Sequence, residues 1–409
     1  MKRLGNTWKD VCDIENGISS VVDGTRYKRG NREVQRLLKD GAYHEIDHDK
    51  AKEYVEPIVL ALKEKKWRHG KPRYKRQFCP NSSKKKGKWR DLYIPNLRDH
   101  TIGHMLMNAN MRAFTTGMYP HSCGSVPGRG IKHVIRHVSW WMQHDKQCRY
   151  FVKLDIKKFF DNIDGDILKQ KLADKIKDKD SLWAFYQIID SAPVPCPVGY
   201  YTSPWFANLY LQDFDWFVVQ QLYKIRRGKR INYVRHYLRY TDDMLLIGTS
   251  KSDLEKAVKS IETYLSDINL HLKPTWEIKK IGKMENGNLK DGTYWCDIGG
   301  YKFCKDCIVL RDGVFLSFRR LARQIRKCGY TPHSCRAIIS KVGWARHANS
   351  IGLIEREIKP YINIKNIRRY IGHVDKVEKR RERQAACKRR NKRNCNCTKR
   401  VRVDPGNAG

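Results

Sequence analysis

The chain has 409 residues, long enough for two or three structural units, and at 40% apolar and 11% aromatic residues most of it is expected to be globular. Lys and Arg number 83 against 43 Asp and Glu, a formal charge of +40, and the usual partner of such a field is nucleic acid or an anionic membrane surface. No run approaches the roughly 20 apolar residues of a spanning helix, and the opening "MKRLGNTWKDVCD" lacks the apolar stretch of a signal peptide, so polyanion binding in the cytoplasm, with no membrane partner, is the expectation.

Residues 1–75 are charged and mostly helical in pattern. "SSKKKGKWRDLYIP", 82–95, reads as a basic turn running into a short strand, and helical periodicity appears around 102–115. "GSVPGRG", 124–130, is a glycine-rich turn. The helix after it places Ile131, Val134, Val138, Trp141 and Met142 on one face. "RYFVKLDI", 149–156, alternates like a strand, with Val152, Leu154 and Ile156 on one side and Lys153 and Asp155 on the other. A helix near 165–178 follows. "SPWFANLYLQDFDWFVVQQL" then predicts one helix from residue 203, with Ser203 as N-cap, Pro204 at the first helical position, and Phe206, Tyr210, Phe214 and Phe217 on its buried side.

"RYTDDMLLIG", 239–248, reads as a hairpin with Asp242 and Asp243 at or beside its turn. Ser252 and Glu255 have capping-box spacing and predict a helix with Leu254, Val258, Ile261, Leu265 and Ile268 on one stripe. Strand-like segments lie near 293–310, and 315–370 looks helical. From Lys376 the chain is mostly charge: residues 376–409 hold 13 Lys and Arg against three acids, a net of +10. With few apolar residues, that tail is expected to be disordered, either solubilising or tethering RNA through its phosphates.

The order strand, helices, two strands, helix, strands is that of a split βαβ palm, with helices on one face of an antiparallel sheet and the other face open. In that topology Asp155 lies beside the hairpin carrying Asp242 and Asp243. Burying like charges next to apolar runs is costly unless something positive compensates. Mg²⁺ favours one or two carboxylates plus substrate phosphates and water. Two such ions, about 3.5–4 Å apart, would activate a 3′ hydroxyl and stabilise a leaving pyrophosphate. Paired aspartates in a turn are common on their own. Asp155, a carboxylate interrupting a central strand, is what makes the set chemical.

Several segments in order carry a resemblance. "FVKLDIKKFFDNID" resembles the first catalytic motif of bacterial reverse transcriptases, and "RYTDDMLL" resembles their YxDD motif. "VGYYTSPWFANLYL" is similar to the glycine-x-x-x-Ser-Pro motif and the Phe-Ala-Asn helix that follows it. "KWRDLYIPNLRDH", 88–100, resembles the fingers segment, and "CDIGGYKF", 296–303, resembles the segment that holds the primer end. The match spans roughly 85–305, with a weaker extension through "VGWARHANS".

The resemblance implies an α+β right-hand polymerase. Residues 1–75 would be a helical, basic lead-in, 76–150 the fingers, 151–310 a ferredoxin-like palm, 311–375 a helical thumb and 376–409 a basic tail. It implies RNA-directed DNA synthesis in a bacterial or phage retroelement or defence system. Two Mg²⁺ (or Mn²⁺) ions would be held by Asp155, Asp242, Asp243 and the backbone of Ile156. Phe160 would be the steric gate that selects deoxynucleotides, or else core beside Phe159. Gly199 to Pro204, with Ser203 among them, would line the nucleotide pocket. Arg90 and Arg98 would contact triphosphate or template, or else lie on a solvated basic strand. Lys273 would protonate pyrophosphate. Gly299, Gly300 and Tyr301 would form the primer-grip-like segment. Partners would be an RNA template, a DNA or RNA primer and dNTPs, with a cognate structured non-coding RNA or an accessory protein as further candidates.

Departures from the family pattern are visible. Val126 stands where an Arg is common, and Arg129, at a helix start, is the candidate substitute for that phosphate contact. Val198-Gly199 replaces Gln-Gly, as in reverse transcriptases of diversity-generating retroelements, whereas Ser203-Pro204 does not follow that group. "CKDC", Cys304 to Cys307, has metal-ligand spacing but is expected to flank a two-residue hairpin turn. Cys395 and Cys397 read as free thiols, as do the thirteen cysteines generally. The alternatives are a template-independent palm polymerase, a nucleotide cyclase, or a basic RNA-binding scaffold with a relic palm.

Overall fold

The computed structural model describes residues 3–26, 28, 30–39, 45–79, 87–378, 380 and 384. The expectations for Cys395, Cys397 and most of the basic tail lie outside them. The N-terminal segment is four helices, α1 (Trp8–Val11), α2 (Ile14–Thr25), α3 (Arg32–Arg36) and α4 (His48–Lys63). Asp13, Asn31 and Asp47 each accept an otherwise orphaned N–H at the starts of α2, α3 and α4. An antiparallel hairpin follows, β1 (Arg73–Cys79) with β2 (Lys88–Ile94). Next comes α5 (Leu97–Thr115), which starts five residues before the predicted helix because Asn96 caps it.

The chain continues through β3 (Ser122–Cys123), α6 (Ile131–His144) and β4 (Tyr150–Asp155). A 3₁₀ turn at Phe159–Asn162 leads to α7 (Gly165–Lys175), α8 (Lys179–Ile189), α9 (Ser203–Tyr210) and α10 (Gln212–Gln220). β5 (Tyr223–Arg226) and β6 (Lys229–Asn232) form a basic hairpin absent from the sequence reading. β7 (His236–Tyr240) and β8 (Asp243–Gly248) are the expected hairpin, joined through Thr241 and Asp242. α11 (Lys251–Asp267) and β9 (Ile278–Lys280) follow, then the small pair β10 (Met284–Glu285) and β11 (Asn288–Leu289). A three-stranded sheet, β12 (Cys296–Ile298), β13 (Tyr301–Phe303) and β14 (Ile308–Leu310), precedes α12 (Asp312–Cys328), α13 (Pro332–Ala345), α14 (Ile351–Glu357) and helical residues 364–378.

The central sheet has the order β3–β7–β8–β4–β9. β3 runs parallel to β7, and the other pairs are antiparallel. Val152, Leu154, Met244 and Leu246 face one core, shared with Leu254, Val258, Ile261 and Leu265 of α11 and with the N-terminal helices. The opposite face is not open along its length, as the split palm predicted. Phe151, Leu238, Leu245 and Ile247 pack there against Val134, Val138 and Trp141 of α6 and against the β12–β14 sheet. Met244 to Ile247 are all fully buried. Each such side chain contributes about 1.5–3 kcal/mol, so both faces fix the register of β8. At the end of the sheet that carries the aspartates, Tyr240 to Asp243 and Asp155 are half-buried.

Three local expectations change. The helix predicted from Ser203 is two helices, broken at Leu211. Its N-cap is Thr202; Ser203 is already helical and donates its hydroxyl to the Pro197 carbonyl at 2.8 Å. Ser250, in extended backbone, caps α11 by accepting the Asp253 N–H, so the Ser252–Glu255 spacing forms no capping box. As expected, by contrast, Cys304 and Cys307 flank the tight β13–β14 connection, with the Cys304 N–H donating to the Cys307 carbonyl, and the described cysteines are free.

Candidate active site

Asp155 is the last residue of β4 and Asp243 the first of β8, and the two are direct partners across the ladder. Asp242 occupies the turn one residue earlier. Three half-buried carboxylates therefore meet at one end of the sheet. Burial raises the Asp242 carboxyl above the ordinary range. Repulsion from Asp155 adds to this, while Lys273 and Arg90 oppose it. Asp243 is raised by burial, then by Asp242 and Asp155, against Lys153 and Lys273.

Beside the cations that the sequence calls for, Lys273 brings one positive charge to the carboxylates. Its Nζ lies 2.5 Å from Asp155 Oδ2, and its backbone N–H donates to the Asp155 carbonyl at 2.8 Å. Asp155 Oδ1, by contrast, is buried and has no hydrogen-bond partner among the described residues. An ionised carboxylate oxygen left without a donor is expensive, and a hard divalent cation is the partner that suits it. Three carboxylates gathered at one end of the sheet, one with an unsatisfied buried oxygen, thus fit such an ion.

The turn is held from below. Thr241 is left-handed at φ +60°, as a two-residue hairpin turn requires, although a β-branched residue rarely adopts it. Its N–H donates to the Cys123 carbonyl at 3.0 Å, and its carbonyl accepts from Arg239 Nη1 at 3.0 Å. Arg239 is fully buried and forms a two-pronged pair with Asp215, Nε and Nη2 each at 2.7 Å. Tyr237 and Ser122 donate their hydroxyls to the same carboxylate at 2.8 and 2.5 Å, and Asn208 Oδ1 accepts from Arg239 Nη1 at 3.0 Å. This network escaped the sequence reading. The available signal was a charge in each of two apolar contexts, Arg239 in "HYLRY" and Asp215 in "DFDWF". Gly124, at φ +88°, comes against the turn: a Cβ there would sit 2.5 Å from Thr241 Oγ1.

The other predicted residues fall as follows. Ile156 is buried and bridges to Leu272 just behind the carboxylates. Phe159 is core, while Phe160 is half-buried beside it, with ring centroids 5.3 Å apart. Gly199 has φ +121°, and a Cβ there would overlap the Tyr93 carbonyl oxygen. The adjacent Val198 carbonyl accepts from the Tyr93 N–H at 2.9 Å, so this segment is seated on β2. Pro204 is half-buried beside the committed Ser203 hydroxyl.

Arg90 is exposed on β2, near enough to bear on Asp242. Arg98 is tied to Asp99 and to the Arg68 carbonyl. Arg129 donates to the Tyr119 carbonyl at 2.8 Å. Gly299 and Gly300 form the β12–β13 turn, both at positive φ, wedged between Ile131 of α6 and Trp344 of α13. Tyr301 is buried, stacks on Trp344 and donates its hydroxyl to the Trp344 carbonyl at 2.9 Å. Its side chain therefore anchors the hairpin to the C-terminal helices.

Residues 82–276, which contain this whole carboxylate constellation, match the family described as reverse transcriptase (RNA-dependent DNA polymerase). Over that stretch the chain resembles the bacterial reverse transcriptases. It is 25% identical over 259 residues to the Retron Ec73 reverse transcriptase of Escherichia coli, covering 60% of this chain and 76% of that one. It is 23% identical over 247 residues to Protein YkfC of Escherichia coli strain K12, covering 52% and 64%. Among solved structures, apo telomerase from Candida tropicalis superposes at TM-score 0.39 with 13% identity, covering 65% of this chain and 61% of that chain. Candida albicans telomerase with a fragment of telomeric RNA superposes at 0.43 with 12% identity, covering 80% and 60%. The chain thus spans about three-fifths of the length of those telomerase chains. The right-hand polymerase fold rests on the family match and on the order of the central sheet. No helix of the described residues is long and apolar enough to cross a membrane.

Proposed function

We propose that this reverse transcriptase synthesises DNA on an RNA template by two-metal nucleotidyl transfer at Asp155, Asp242 and Asp243. The observation that carries this is the pairing of Asp155 with Asp243 across one ladder, with a buried Asp155 oxygen that no donor among the described residues satisfies. When bound, two Mg²⁺ ions, or Mn²⁺ in their place, would activate the primer 3′ hydroxyl and stabilise the leaving pyrophosphate. The three carboxylates and the Ile156 carbonyl would hold them. The Lys273 ammonium, already at the carboxylates, supplies a proton to the pyrophosphate. The Phe160 ring excludes a 2′ hydroxyl, and Arg90 meets the triphosphate.

In this reading the β1–β2 hairpin belongs to the fingers, the central sheet is the palm, and α12 to residue 378 is the thumb. RNA template, DNA or RNA primer and dNTPs are the partners, in the cytoplasm of a bacterium, within a retroelement or a defence system. Purified protein with a primed RNA template, each dNTP or NTP offered in turn, tests it. Products complementary to the RNA and made from dNTPs are expected. Extension that ignores the template would instead indicate a template-independent polymerase, and no extension with either metal a relic palm.

A further inference from the structure

Away from the carboxylates, three imidazoles converge where β3 meets α6. His133 and His137 lie one turn apart on α6 and so share a face. His121 directly precedes β3. Its Nδ1 is 3.2 Å from His133 Nε2, and the His121–His137 and His133–His137 ring centroids are 4.6 and 4.2 Å apart. One ligand-capable nitrogen from each residue lies within 4.8 Å of the other two, and all three side chains are half-buried. Two nitrogens bound tetrahedrally at 2.0–2.1 Å are separated by about 3.3–3.4 Å, close to the 3.2 Å between His121 and His133; His137 lies within reach of both. A shared proton between His121 and His133 would account for one pair but not for the third ring.

We propose that His121, His133 and His137 bind a transition-metal ion of the zinc class, with the fourth position open to water or an anion. Burial, their mutual proximity and the nearby Arg129 and Arg136 hold the rings neutral: His121 and His133 are pushed down to about 4, and His137 is lowered. Neutral imidazole is the ligand form. Arg136 donates to His137 Nε2 at 3.2 Å from an exposed position, and Arg129 is committed to Tyr119. Both cations favour an anion in the fourth position.

The neighbouring group Asp145, Cys148 and His236 is a poorer site. Asp145 is already bonded by Arg235 and His236, each at 2.8 Å, and burial pushes the Cys148 thiol up to about 12. The consequence of the triad is mechanical. The His121 carbonyl accepts from the Arg239 N–H at 3.1 Å, and the Cys123 carbonyl accepts from the Thr241 N–H. An ion joining β3 to α6 would stiffen the strand on which the Asp242 turn hangs.

The test uses the tag-free full chain, stripped with chelator, re-equilibrated with Zn²⁺ and read by elemental analysis and thermal melting. One zinc per chain is expected, with a higher melting temperature. Both should persist in Cys148→Ser and in Cys304→Ser/Cys307→Ser, and both should be lost in His133→Gln/His137→Gln. Should that double variant not fold, the single His137→Gln is expected to weaken zinc binding about tenfold or more. Zinc content no higher in the parent than in the histidine variants, or zinc lost with the cysteines instead, would overturn the proposal.

Discussion

At the scale of single residues, the fold holds Asp242 and Asp243 where their charges are unfavourable without a cation. Both carboxyls are raised relative to the unfolded chain. The folded state therefore binds protons more tightly than the unfolded one. Their favourable contribution is complete below the ordinary carboxylate range and is lost as pH rises through the raised values. Asp242→Asn/Asp243→Asn removes that dependence. In chelator at neutral pH the variant should melt above the parent, and the gap should close at acidic pH and on adding Mg²⁺. Thermal scans from about pH 4 to 8 check this; a gap that does not change with pH would oppose it. Arg239 and Asp215 are the converse case, fully buried and mutually satisfied. Arg239→Met should cost about 3–5 kcal/mol in chemical denaturation, and Arg239→Met/Asp215→Leu markedly less. The three aspartates were legible because a carboxylate in an apolar strand has no local explanation. The same reasoning applied to Arg239 and Asp215 would have found a pair, but not what that pair supports.

At the scale of elements, strands with alternating or continuous apolar runs were legible, and so was α6 from its apolar stripe. What the sequence hid are contacts made only in three dimensions. β3 has two residues, and its parallel pairing with β7 gives no periodic signal. Nothing in the local sequence marks the break at Leu211. Ser250 and Ser252 compete as caps, and the backbone entering the helix favours the first. Gly199 is where two elements must approach: its φ of +121° and the Tyr93 carbonyl leave no room for a methyl. Gly199→Ala is expected to cost about 1–3 kcal/mol and, if this segment lines the nucleotide pocket as proposed, to raise the KM for dNTP more than it lowers kcat, because it displaces the segment from β2 rather than the carboxylates. Steady-state kinetics separate the two effects; a pure kcat loss would place the damage in the palm.

At the scale of the whole molecule, a charge of +40 is far more than three aspartates and a triphosphate require, and it suits a long polyanion. Residues 385–409 lie beyond the helix at 364–378 and carry eight Lys and Arg against Asp404 alone. With roughly four phosphate contacts at about 0.7 each, deleting them should flatten the slope of log K against log salt for single-stranded RNA by about 3. Turnover on a saturating short primer-template should hardly change. An unaltered slope would show that this segment does not engage RNA.

The most direct test of the central claim is single-nucleotide incorporation on a primed RNA template in Mg²⁺, comparing the parent with Asp242→Asn. Losing an outer-shell partner of a metal ligand already costs about 10- to 100-fold, so losing a ligand itself should lower the rate by more than about a hundredfold while RNA affinity is preserved. A variant that incorporates at the parental rate would contradict the assignment of these carboxylates as the catalytic centre.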